Sequence, residues 1–106
     1  MGEAVIHRDD RGRVVGVTYR DVGGSTAGMS ANRFLLAVSA SLSEYLHVPV
    51  AGAGEVDADF TIDRSDMHLD REIDAILETL VIGLRMLERE HPSDLVVQEA
   101  TVGVEV

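Results

Sequence analysis

One stretch of the sequence constrains the fold more than any other. From His68 to Glu90, Leu69, Ile73, Ile76, Leu77, Leu80, Leu84 and Leu87 recur at steps of three and four. That spacing lines one face of an α-helix. At 1.5 Å per residue the helix is roughly 34 Å long. Ser65 or Asp66 can cap its start. His91-Pro92 stops it, because the residue before a proline is pushed out of the helical region. Val81 and Ile82 widen the stripe, so both sides of this helix are expected to be covered. A helix this apolar needs a second layer to pack on.

Period-two segments supply that layer. Residues 4–8 and 13–20 read as strands, the second rich in β-branched residues at Val14, Val15, Val17 and Thr18. Asp9-Asp10-Arg11-Gly12 between them has the residues of a tight hairpin turn. Val56, Ala58, Phe60 and Ile62 alternate with Asp57, Asp59, Thr61 and Asp63, which predicts a strand with one dry face and one acidic face. Leu95-Val96-Val97-Gln98 reads as a last strand, and 100–106 as an alternating C-terminal extension. A first helix is expected from Ser30 or Asn32, as caps, to about Leu46, with Leu35, Val38, Leu42 and Tyr45 buried beside Phe34 and Leu46. Residues 21–32 and 48–54 are read as loops, from their glycines and Pro49. The order is β-β-α-β-α-β. Two helices on one face of a small, mainly antiparallel sheet make a single α+β domain over residues 1–106.

Composition bounds the function. Nine Lys and Arg stand against 19 Asp and Glu, a formal net charge of −10. So acidic a chain suits neither a phosphate backbone nor an anionic membrane. No nucleic-acid or membrane partner is expected. Cysteine is absent. That removes disulfides, thiolate metal sites and any cysteine nucleophile. No apolar run reaches the length of a membrane span or a signal peptide, so a cytoplasmic location is expected.

Candidate chemistry is sparse. Gly23-Gly24-Ser25-Thr26-Ala27-Gly28 precedes a helix but lacks the Gly-Lys-Ser/Thr ending of a phosphate loop, and Ser25 breaks the Gly-x-Gly-x-x-Gly spacing. Asp57, Asp59, Asp63 and Asp66 fail the calcium-loop spacing, since Ile62 and His68 occupy its glycine and glutamate places. His7, His47, His68 and His91 form no close pair, and no metal or cofactor is expected. No Gly-x-Ser-x-Gly elbow is present, which leaves Ser25, Thr26 and Ser30 as hydroxyls for a hydrolase alternative.

Three segments resemble one family. Arg8-Asp9-Asp10-Arg11-Gly12-Arg13-Val14-Val15-Gly16 resembles the opening hairpin of the ribosomal-processing cysteine proteases, the Prp family. Ala37-Val38-Ser39-Ala40 is similar to the helix after their nucleophile, and Leu77–Leu84 with Leu87–Pro92 to their second helix and its end. The resemblance covers roughly residues 4–99. It implies a homodimer and a peptidase that trims the N-terminal extension of a large-subunit ribosomal protein. The family's His ends its second strand and its Cys opens the first helix, forming a dyad for thiolate attack. Here Gly23 stands near the His place and Leu35 at the Cys place. The resemblance therefore carries over no catalytic residue. It implies a groove at Asp21, Val22, Gly23, Gly24, Ser25, Ser30, Asn32 and Leu35. The expected function is that of a pseudoprotease binding a basic peptide or ribosomal protein N-terminus. The alternatives are a peptidase acting on that extension, or a regulatory subunit of an active paralogue.

Overall fold

A computed structural model describes residues 2–21, 26–51 and 59–102. Five strands form one sheet in the order β3-β4-β2-β1-β5. The strands are β1 (Gly2–Arg8), β2 (Val14–Asp21), β3 (Val50–Ala51), β4 (Asp59–Ile62) and β5 (Leu95–Thr101). Two helices, α1 (Thr26–Ala40) and α2 (Asp70–Glu90), complete the α+β fold. All neighbours pair antiparallel except β1 and β5.

The hairpin forms as its residues require. The Asp9 carbonyl accepts from Gly12 N at 3.0 Å, and Gly12 takes a φ of 81°, which suits glycine. Asp9 Oδ1 accepts from the backbone N–H of Arg11 and of Arg13, both at 2.9 Å. A bulge interrupts the β1–β2 register between His7 and Arg8.

Alternation sorts the strands into two faces. Ala4 and Ile6, Val17 and Tyr19, Phe60 and Ile62, Leu95 and Val97 are buried. They meet Ala31, Leu35, Val38 and Leu42 from the first helical segment and Ile73, Leu77, Leu80, Val81 and Leu84 from α2. Val56, Ala58 and Asp57 of the expected strand lie outside the described residues; its second half is β4.

Several boundaries differ from the sequence reading, each for a physical reason. α1 starts at Thr26, so Ser30 and Asn32 lie inside it and cap nothing. A π-helical turn, Ser41–Tyr45, follows α1, and an inserted residue rotates what comes after it. Tyr45 is turned out of the expected stripe and is 79% exposed. The segment 48–54 is not wholly loop: Val50 and Ala51 pair with Ile62 and Thr61. Asp66 does cap, accepting from His68 N at 3.0 Å, but over the 3-10 turn Met67–Leu69 that leads into α2. β5 runs on through Ala100 and Thr101, which pair with His7 and Arg8. Ile82 is not covered; it is 61% exposed while Val81 beside it is buried.

Candidate functional site

The junction of β2 and α1 is built around Tyr19. Its ring is buried, and its hydroxyl donates to the Gly28 carbonyl at 2.8 Å. That bond ties the end of β2 to the first turns of α1. Ala27, Ala31, Leu35 and Val38 then repeat at helical spacing and seat the helix on the core. The helix N-terminus is thereby held beside the end of the strand.

The groove residues named by the sequence fall around this junction. Asp21 closes β2. Val22, Gly23, Gly24 and Ser25 lie outside the described residues. Thr26 begins α1. Ser30 is exposed and Asn32 half-buried. Leu35 is 0% exposed and belongs to the apolar core. At 100° per residue, Ser30 and Leu35 point roughly 140° apart around α1, so they do not share a face.

A second cluster was not singled out by sequence reasoning. On the sheet face away from the helices, Glu3, Val5, His7, Thr18 and Arg20 line a shallow cleft of about 350 Å³. Thr18 Oγ1 donates to Asp59 Oδ1 at 3.3 Å and lies 2.8 Å from His7 Nε2. The tautomer of His7 sets which partner donates in the shorter contact. This chain of three side chains braces β1, β2 and β4. Period two was the signal that could have found it, since it puts residues 3, 5 and 7 on one face with 18 and 20.

Two ion-pair networks clamp α2 to the sheet. In the first, Arg13 meets Asp9 at 2.8 Å and Asp70 at 3.0 Å, and Arg64 meets Asp70 at 3.3 Å and Asp74 at 2.6 Å. Arg64 is 7% exposed and also donates to the buried Val14 carbonyl at 2.9 Å. In the second, Arg8 joins Glu78 and Glu99, and Arg85 joins Glu88 and Glu99. The Arg8 and Arg85 guanidinium groups hold the Glu99 carboxyl below the ordinary carboxylate range. Desolvation pushes Asp70 up, but Arg13 and Arg64 outweigh it and the net shift is downward. Glu78 and Glu99 hold Arg8 more firmly protonated than usual. Among the described residues, no three His, Asp or Glu side chains gather as a metal site would require.

No protein-family model matches this sequence, and no curated protein does. Solved structures do match. The essential ribosomal processing protease Prp from S. aureus, in complex with a substrate peptide, superposes with a TM-score of 0.77 at 19% identity, over 94% of this chain and 100% of that one. The same protease with a covalently linked product peptide gives 0.76 at 18% identity, over 94% and 100%. A Streptococcus mutans protein gives 0.75 at 18% identity, over 95% of each chain. The chain thus has a Prp-like fold over nearly its full described length.

Proposed function

We propose that the chain is a non-catalytic homologue of the Prp protease that binds an extended peptide from a partner protein. One observation carries this reading. The sequence contains no cysteine, so the thiolate of the resembled family has no counterpart here. Leu35, which the resemblance sets at the nucleophile's place, lies in the middle of α1 and is wholly buried among apolar side chains, not at the helix opening. An alkyl side chain cannot ionise or attack a carbonyl. The rest of the frame is retained, and the superposed protease holds a substrate peptide on it. The groove runs along the junction of β2 and α1, from Asp21 through Ser30 and Asn32. The net charge of −10 favours a basic peptide in the encounter. The partner under this reading is the N-terminal extension of a large-subunit ribosomal protein, met in the cytoplasm.

Titration calorimetry with that peptide, from the same organism, tests the reading. Saturable binding in the micromolar range is expected, with a scrambled peptide of equal charge giving none. No saturation, or equal binding of the scrambled peptide, removes the groove and leaves only the fold.

A homodimer belongs to the same proposal. Ile82 and Met86, one turn apart on α2, are 61% and 52% exposed. A dimer formed through this face of α2 would cover both side chains. A light-scattering mass of one chain at micromolar concentration would count against it.

A further inference from the structure

The sheet has two edges, the two-residue β3 and the seven-residue β5. Parallel pairing uses alternate residues of a strand. The Asp94 carbonyl accepts from Gly2 N at 2.7 Å, and Val102 N donates to the Arg8 carbonyl at 2.7 Å. The even-numbered residues thus turn their backbone groups to β1. Leu95, Val97, Glu99 and Thr101 turn theirs outward. An outward row on the uncharged segment Leu95-Val96-Val97 is a template for another strand.

Helix α2 and the turn after it intercept that template. Leu95 N donates to the His91 carbonyl at 3.1 Å. Val97 N donates to Glu88 Oε2 at 2.7 Å. The Val97 carbonyl accepts from Arg85 Nη1 at 2.8 Å. Arg85 and Glu88 lie one turn apart, and Arg85 Nη2 is steadied by Glu99 at 2.8 Å. Together they offer Val97 one donor and one acceptor, as a neighbouring strand would.

We propose that Arg85 and Glu88 are an edge guard, occupying the outward backbone pair of Val97 so that β5 cannot add to β5 of a second copy of the chain. The second copy is the partner excluded because the same segment is present in every copy, and antiparallel pairing about a two-fold axis is self-complementary. The guard's bonds to the backbone are charge-assisted, so an incoming strand must replace stronger bonds with ordinary ones. This device is independent of peptide binding and of any dimer formed through α2.

The test compares masses with the wild-type chain at equal concentration. Arg85→Ala/Glu88→Ala is expected to keep its far-UV circular dichroism and to double the wild-type mass by sedimentation velocity as concentration rises. The Val97 amide should then exchange more slowly at high concentration than at low. Glu88→Gln, whose amide oxygen still accepts from Val97 N, should keep the wild-type mass. If the double variant does not fold, Glu88→Ala alone serves, since it leaves Arg85 on the Val97 carbonyl and on Glu99. A folded variant that holds the wild-type mass throughout the dilution series overturns the proposal. So does doubling without added protection at Val97, or doubling by Glu88→Gln.

Discussion

His47 shows how much a single residue carries here. Its φ is 56°, in the left-handed region, one residue beyond Leu46, which caps the π-helical turn. There Val48 N donates back to the Leu42 carbonyl at 2.9 Å, closing the helical segment as a glycine-terminated helix would be closed. A side chain in that conformation costs about 1–2 kcal/mol. Glycine relieves it but adds entropy to the unfolded chain. His47→Gly is therefore expected to stabilise the protein by about 0.5–1 kcal/mol, read as a higher urea midpoint at unchanged slope. A lower midpoint would mean that the imidazole is held by contacts that outweigh the strain. Leu35 is the contrasting case. The missing cysteine alone denies a thiolate, but only the structure shows that Leu35 sits in the middle of α1, away from the helix opening, and serves the core.

At the scale of elements, α2 is held by more than its apolar face. Arg64 reaches from the end of β4 to the Val14 carbonyl in β2 and to Asp70 and Asp74 in α2. It joins three elements through one guanidinium. Its Nε is buried without a partner among the described residues, a cost the other nitrogens offset. Arg64→Ala takes the donor from a buried carbonyl and is expected to lose about 1–3 kcal/mol. Arg64→Lys should recover part of that, since an ammonium reaches one side but lacks the planar fork that spans both. Equal loss for the two variants would show that the fork, not the charge, does the joining. Chemical denaturation of the three proteins decides this. The sequence placed both helices and four of the five strands. It missed β3, because two residues carry no period, and it misplaced Tyr45, because a π turn leaves no mark in apolar spacing.

At the scale of the whole molecule, the surplus of acid shapes stability against pH. Asp9, Asp63, Asp70 and Glu99 all sit below their ordinary values in the folded state. Serine hydroxyl and amide bonds lower Asp63, and Arg8 and Arg85 lower Glu99. A lowered folded value means that the unfolded chain binds the proton first as acid is added. The stabilisation is fully present above the ordinary carboxylate range, about pH 4, and is lost as pH falls through the folded values. The urea midpoint should hold steady near neutrality and drop steeply below about pH 4. Glu99→Gln should shallow that drop. A midpoint flat down to about pH 3 would show that these carboxyls are not perturbed in solution. The raised Arg8, Arg13 and Arg85 stay charged throughout this range and add no slope to it.

The sequence by itself determined the class of fold and the absence of thiolate chemistry. Periodicity is local, and side chains at two- or three-and-four-residue steps declare a strand or a helix without reference to the rest of the chain. A missing cysteine needs no structure at all. Only the tertiary structure decided which strands are neighbours, that β1 and β5 run parallel, and that His7, Thr18 and Asp59 meet on one face. It alone placed Arg85 and Glu88 on the outward edge of Val97. These pairings join residues far apart in sequence. They are set by how two layers bury one core and not by any pattern within a single segment.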